Sequence, residues 1–202
     1  MASRAGSLSL VAGVLALDFA NTSSGRDTAE PVEHLEHAAD LVHWAAHAGG
    51  IDGGTARRAR AALGRDADLA QTVLRRAREL RDTVQDIGAA VARGEAPAPT
   101  DLDRLRDFAR RAIAPAAFAP APGGGYALDF SAAPAETALL GPIAWSAVDL
   151  LRSGRFPRVK RCPGPGCGWL FFDHSKNNSR RWCDMATCGN RTKGRRHRAR
   201  RV

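Results

Sequence analysis

The sequence predicts a mainly α-helical domain with minor β content, an α+β unit over residues 1–153. A small treble-clef-like module built on four cysteines follows over 154–202. Three observations carry this. Apolar residues recur at spacings of three and four along most of the N-terminal part, with only short alternating stretches between them. All four cysteines fall within the last 41 residues. Charge divides the chain at the same place: residues 1–151 hold 15 basic and 19 acidic side chains, net −4, whereas 152–202 hold 15 basic residues against Asp173 and Asp184 alone, net +13. A chain of 202 residues has room for one ordinary domain plus a module.

Taken in order, Arg4 and the apolar stretch Leu8 to Leu17 have the outline of a secretory signal. The stretch is short, Asp18 ends it, and no small-x-small cleavage site follows. Leu15, Leu17 and Phe19 alternate, so residues 8–20 read instead as one or two short strands turning near Gly13. Pro31 suits the first turn of a helix over 31–48, with Leu35, Ala38, Val42 and Ala45 on one face and Gly49-Gly50 as its stop. A short helix covers 55–63. The strongest helical signal is 69–93, where Val73, Ala77, Leu80, Val84, Ile87 and Val91 form one stripe and Gly94 closes it.

Ala96-Pro97-Ala98-Pro99 reads as a linker, after which Thr100 caps a helix burying Leu102, Leu105 and Phe108. Residues 117–130, interrupted by Pro120 to Gly125, form a β-hairpin with a loose loop. A last apolar helix spans 135–152; Pro142 either kinks it or marks its true start, and Gly154 ends it. No run approaches the ~20 apolar residues of a membrane span, so no membrane partner is expected.

The cysteines run Cys162-x4-Cys167-x15-Cys183-x4-Cys188. Two short-spaced pairs with an intervening segment of this length suit one tetrahedral zinc, each pair gripping the metal through a tight loop. One structural Zn²⁺ on Cys162, Cys167, Cys183 and Cys188 is expected. Two disulfides are the alternative, and they need an oxidising compartment; four available thiols fit a reducing cytoplasm. Four thiolates on Zn²⁺ leave two excess negative charges, which inward-turned amides of the glycine-rich knuckle and Arg161, Arg180 and Arg181 can offset. His174 and His197 are spare, because four cysteines complete the set. Trp169-Leu170-Phe171-Phe172 reads as a strand. Trp169, Phe171, Phe172 and Trp182 can stack on bases, although so small a module needs at least two of them for its own core.

Beyond Cys188, Arg191, Arg195 and Arg198 sit at helical spacings of four and three, flanked by Lys193, Arg196, Arg200 and Arg201. A helix pinned by zinc ligands and carrying such a row suits a nucleic-acid groove. Most of these side chains, with Arg180 and Arg181, are candidate phosphate contacts. Asn190 and Arg191 are candidates for base edges, Asn on adenine and Arg on guanine. Structural roles are open for both: Asn190 capping the second knuckle, Arg191 neutralising the thiolates. Gly194 weakens the helix, so the last residues order on binding.

Ser179-Arg180-Arg181-Trp182 followed by Cys183-Asp-Met-Ala-Thr-Cys188-Gly189-Asn190-Arg191 resembles the signature of the CGNR zinc-finger family. Cys162-x4-Cys167-Gly168-Trp169-Leu170-Phe171-Phe172-Asp173 is similar to its first half. Leu15-Ala-Leu-Asp18-Phe19-Ala-Asn21-Thr22 resembles the opening of the ABATE domain, which precedes this finger in stress-induced transcriptional regulators. The resemblance implies zinc on the four cysteines and a DNA-binding role for the finger. It implies no catalytic activity or ligand for the N-terminal domain.

Enzyme motifs are missing. His34, His37, His43 and His47 share one predicted helix without a His-Glu-x-x-His pattern, Gly123-Gly124-Gly125 lacks the Lys and Ser/Thr of a phosphate loop, and no Gly-x-Ser-x-Gly elbow occurs. No catalytic residue is expected. Asp18 and Asn21 either line an effector pocket or cap a turn, and the turn is favoured. The expectation is a zinc-dependent DNA-binding transcriptional regulator, cytoplasmic and nucleoid-associated, whose N-terminal domain senses a signal or mediates a homodimer. An RNA-binding or ribosome-associated zinc protein is the alternative, since composition does not distinguish the nucleic acids. A small enzyme with an accessory finger has no motif behind it.

Overall fold

The computed structural model describes residues 4–26, 28–121 and 123–199. Its helices are α1 (Leu15–Ala20), α2 (Ala38–His47), α3 (Gly53–Arg65), α4 (Ala67–Ala92), α5 (Pro99–Ile113), α6 (Ala135–Arg152) and α7 (Asn190–Ala199). Three two-stranded antiparallel sheets join them: β1 (Ser23–Ser24) with β2 (Val32–Glu33), β3 (Ala117–Pro120) with β4 (Tyr126–Asp129), and β5 (Val159–Arg161) with β6 (Leu170–Phe172). The fold is therefore mainly α with minor β, as the apolar periodicity predicts.

Local chemistry sets the helix boundaries. The Asp52 carboxylate accepts the Thr55 N–H at 2.6 Å to open α3, and Asp66 accepts the Leu69 N–H at 2.9 Å to open α4, each satisfying an otherwise orphaned amide. Val73, Ala77, Leu80, Val84, Ile87 and Val91 of α4 are all buried. Gly94, with φ +76°, stops the helix. Pro142 lies inside α6, which runs through it. Beside it, a Cβ on Gly141 would come within 2.6 Å of the Phe130 ring, so the helix and the residue just past β4 meet only because that side chain is missing.

The core is one continuous cluster. Leu17, Phe19, Leu35, Leu41, Trp44, Leu80, Leu139 and Ile143 join Val159, Leu170, Phe171 and Phe172 of the C-terminal module in it. Phe19 and Trp44 pack with ring centroids 5.0 Å apart and planes tilted by 52°, a favourable aromatic geometry.

Three sequence expectations need correcting. Residues 15–20 form helix α1 instead of a strand. The Asp18 carboxylate turns back to accept the Ala12 N–H at 2.9 Å, and Ala16, Leu17, Phe19 and Ala20 are buried together, so burial on nearly all sides satisfies what looked like alternation. The helix expected from Pro31 begins only at Ala38. Before it, Val32 and Glu33 pair with β1, and the Asp40 carboxylate accepts the Glu36 and His37 N–H groups to fix the helix start. Finally, Pro99 and not Thr100 opens α5, occupying the first turn where a missing N–H costs nothing, and Leu102, expected to be buried in this helix, is exposed while Leu105 and Phe108 are buried.

Candidate metal centre and nucleic-acid interface

Cys162 follows β5 and Cys167 lies just before β6, so a short hairpin presents the first ligand pair. The Cys162 N–H donates to the Trp169 carbonyl at 2.8 Å and the Cys167 N–H to Gly164 at 3.0 Å, which closes the knuckle. Gly166 and Gly168 adopt φ +66° and +67°, the left-handed region that glycine enters freely. At Gly164 the constraint is space: a Cβ there would stand 2.9 Å from the Cys188 sulfur and 3.3 Å from that of Cys162. Of the second pair, Cys183 precedes a π-helical turn, Met185–Gly189, and Cys188 lies within it, just before it runs into α7. Asp184 starts the turn by accepting from the Ala186 N–H and the Thr187 hydroxyl, both at 3.0 Å.

The four sulfurs lie within 4.8 Å of one another, with Cys167–Cys183 and Cys183–Cys188 each at 3.6 Å. A disulfide requires about 2.05 Å, whereas four sulfurs at ~2.3 Å from one tetrahedral zinc stand ~3.8 Å apart. All four cysteines are free thiols, so the disulfide alternative falls and the donor set fits one structural Zn²⁺. Cys162, Cys183 and Cys188 are buried and Cys167 is partly exposed. Hydrogen bonds from Cys167 and Cys183 pull the Cys162 thiol down to about 2. The proximity of Cys162 pushes Cys167 up to about 12, and Cys162 and Cys167 push Cys183 up as well. Burial and the closeness of the sulfurs oppose ionising all four thiols together, a cost that a bound dication would offset.

A polar lattice holds the cage to its surroundings. Asp173 is fully buried, yet its carboxylate accepts Lys160 Nζ at 2.6 Å, the Arg180 N–H at 2.8 Å and the Ser175 N–H at 2.8 Å. Burial works against its charge, and the bonds from Lys160, Ser175 and Arg180 outweigh burial and hold it well below the ordinary carboxylate range. Lys160 spends its other donors on the carbonyls of Asn178 and Arg180. Arg180, expected to contact nucleic acid, is committed inside: its guanidinium donates to the carbonyls of Val11 at 2.7 Å, Trp182 at 3.0 Å and Cys183, and lies 4.5 Å above the Phe171 ring. We reassign it as the staple that fastens the second ligand pair to the N-terminal segment.

The module also clasps the helical body directly. Asn21 is 2 % exposed; its side-chain amide donates to the Leu170 carbonyl and accepts the Leu170 N–H, both at 2.9 Å, so it pairs with the outer edge of β6 as a neighbouring strand would. The Phe172 N–H donates to Ala12 at 2.8 Å. On α4, a Cβ on Gly88 would meet Leu170 at 2.5 Å, so helix and strand touch through a glycine. Trp169 Nε1 donates to the Ser24 hydroxyl at 3.2 Å, which in turn meets His34 at 2.9 Å. Asp18 thus caps the bend at residues 11–13, the role the sequence favours, whereas Asn21 neither lines a pocket nor caps a turn but pairs with β6. Burial raises the Asp18 carboxyl above its usual value, against the amides of residues 11–13 and the charge of Arg180. Phe171 and Phe172 are core residues, 0 % and 2 % exposed, and unavailable for base stacking.

The outer side of the module is different in kind. Arg181, Asn190, Arg191, Lys193 and Arg195 are exposed, and no acidic residue follows Asp184. The Asn190 side chain donates to the Ala186 carbonyl at 3.2 Å, the capping role left open by the sequence, while staying at the surface. Thr192 donates to the Cys188 carbonyl at 2.9 Å and ties α7 to a ligand. Arg191 borders a 260 Å³ cavity shared by the finger and residues 9–25, with Cys167, Trp169 and Cys183 on its walls. The α7 backbone extends through Arg196 and Arg198; Arg200 and Arg201 lie outside the described residues. The four N-terminal histidines do not converge: His34 meets Ser24, and His47 meets the Leu8 carbonyl at 2.8 Å. Among the described residues, the four cysteines are the one group arranged to hold a metal.

Residues 13–154 match the family model named ABATE, described as "Putative stress-induced transcription regulator", and residues 158–201 match the model of the CGNR zinc finger. No curated protein matches the chain.

Proposed function

The chain belongs to the ABATE family and carries a CGNR zinc finger, and from that premise we propose that it is a zinc-dependent DNA-binding transcriptional regulator. The observation that carries the proposal is α7. Cys188, just before it, is a zinc ligand, and the helix presents exposed Arg191, Lys193 and Arg195 and contains no acidic residue of its own. Zinc would act as a cross-link here, held by Cys162, Cys167, Cys183 and Cys188; the chain's own side chains do the binding. Arg181, Lys193, Arg195, Arg196, Arg198, Arg200 and Arg201 are the phosphate contacts of this proposal, and Arg191 with Asn190 stands nearest the base edges. The protein acts as a binder and not as an enzyme, in the cytoplasm on the nucleoid, and one small finger grips weakly enough that two per dimer are expected.

Fluorescence anisotropy with the zinc-loaded full chain tests this on duplex DNA and on RNA of matching sequence. If about six of the tail's charges reach phosphates, log K falls against log salt with a slope of roughly −5 on the duplex. Absence of salt-dependent binding removes the proposal. Much tighter binding to RNA transfers it to the RNA-binding class.

A further inference from the structure

The four ligand thiols are not equally sheltered. Cys162, Cys183 and Cys188 are buried, whereas Cys167 is partly exposed. Cys167 also stands on the wall of the cavity between the finger and residues 9–25, beside Cys183 and Cys188, while Cys162 is not among the residues that line it. Ser9 and Thr187, on the same wall, are exposed, so the cavity opens to solvent. Its volume is 260 Å³. A water takes up about 30 Å³ of liquid, so a molecule of two or three heavy atoms fits with solvent to spare. Pockets for cofactors and drug-sized ligands begin at about 300 Å³, above what this one offers.

We propose that Cys167 is an oxidation site for hydrogen peroxide or a similarly small peroxide, with Cys183 as the thiol that resolves it. Three conditions for that chemistry meet at this sulfur. Ligation keeps it a thiolate, the nucleophilic form; solvent reaches it; and the Cys183 sulfur lies 3.6 Å away. The Cys167 thiolate attacks one peroxide oxygen, an S–O bond forms, the O–O bond breaks and hydroxide leaves, giving a sulfenic acid. The Cys183 thiolate then attacks the sulfenic sulfur, the S–S bond forms, the S–O bond breaks and a second hydroxide leaves. The two thiolates give up two electrons, the peroxide takes both, and solvent protons turn each hydroxide into water. Arg191, on the same wall, sets a cation beside the hydroxides as they form. The two sulfurs close by about 1.5 Å to reach disulfide length. Cys162 and Cys188 alone remain as ligands, too few for a tetrahedral site. Cys188 fastens α7, whose Thr192 donates to its carbonyl, so oxidation loosens the helix assigned to DNA. The oxidation itself does not depend on that assignment.

Graded hydrogen peroxide on the zinc-loaded full chain, without nucleic acid, tests this separately from the DNA proposal. Freed zinc is followed with a chromogenic chelator, and mass spectrometry of peptides maps each cysteine. Cys167 should be oxidised first, and zinc should leave in step with a Cys167–Cys183 bridge. A dithiol reductant with added zinc should restore the site. Cys167→His keeps a four-ligand set and removes the reactive sulfur, so zinc release should slow by roughly tenfold or more. Cys162→His keeps Cys167 and should release zinc at least as fast as the wild type. The peptide map of the wild type requires no variant to fold. First oxidation at another cysteine, a bridge other than Cys167–Cys183, or equal slowing in both histidine variants overturns the proposal. Zinc retained through prolonged peroxide treatment overturns it as well.

Discussion

Strand β6 and helix α7 belong to the same small finger, separated by fewer than twenty residues, yet they are built to opposite specifications. In β6, Leu170, Phe171 and Phe172 are 0–2 % exposed, and the strand's free edge is satisfied by a side chain of the helical body, Asn21. In α7, the residues Asn190, Arg191, Lys193 and Arg195 are exposed, and the first of them makes its hydrogen bond only to the turn just before it. The inner half of the finger is core for the whole molecule, and the outer half is surface for a partner. A substitution in the first should therefore act on folding and one in the second on binding.

Loss of the metal should produce the largest effect and can break this comparison outright. The helical body has no cysteine, which on sequence grounds suggests that Cys183→Ser unfolds the finger alone. The shared core predicts otherwise. Removing a ligand from a site of this type forfeits on the order of 10 kcal/mol of metal-linked stability, and Leu170 to Phe172 leave the body's core with it. Calorimetry should show the body's transition falling in temperature and broadening; an unchanged body transition would mean that the two halves fold separately.

Asp173→Asn is next. It leaves the Lys160 ammonium beside carbonyls without its carboxylate, at a cost of roughly 3 kcal/mol by chemical denaturation. The sign with pH follows from the depressed carboxyl. Its contribution is fully present above the ordinary aspartate value of 3.8 and drains as pH falls through and below that value. The wild-type protein should lose stability on that acid limb more steeply than the variant, and equal slopes would separate Asp173 from it.

Asn21→Ala should cost about 3 kcal/mol, since it strands both the N–H and the carbonyl of buried Leu170. Zinc stoichiometry should be retained, because the ligands are untouched. A loss below about 1 kcal/mol would show that water replaces the amide and that the clasp is incidental.

The smallest change in stability is expected on the outer face. Arg191, Lys193 and Arg195, replaced together by Ala, should leave the melting free energy within about 0.5 kcal/mol while flattening the salt slope of DNA binding by roughly 3 units. A large loss of stability would place α7 with β6 after all, and an unchanged slope would move the binding surface elsewhere.

Much of this was readable in one dimension because the relevant forces are local or strongly periodic. The zinc ligands announce themselves by spacing, since each pair must close a loop onto one ion. Helix α4 declares itself over 26 residues, long enough for a 3.6-residue period to be unmistakable. The hairpin of β3 and β4 and the end of α6 at Gly154 follow from turn chemistry. In α1, by contrast, six residues with Leu15, Leu17 and Phe19 satisfy either period, and burial on nearly all sides decided for helix. The start of α2 turned on Asp40 reaching back to two amides, a contact that the Pro31 signal masked.

By itself, then, the sequence determined the metal set, the mainly helical class and the charge division between the two ends, because spacing, periodicity and charge add up along the chain without reference to distant partners. The tertiary structure alone decided how finger and body are joined. Asn21 meets Leu170 across 149 positions and Arg180 meets Val11 across 169, so neither role leaves a local trace. A polar residue inside an apolar run, such as Asn21 after Phe19-Ala20, is the only hint, and it does not say whether the group faces a ligand, a turn or another strand. Arg180 and Arg181 are adjacent and chemically identical, yet folding turns one guanidinium inward onto the carbonyls of Val11, Trp182 and Cys183 and leaves the other to solvent, because those acceptors are brought together only by the tertiary fold.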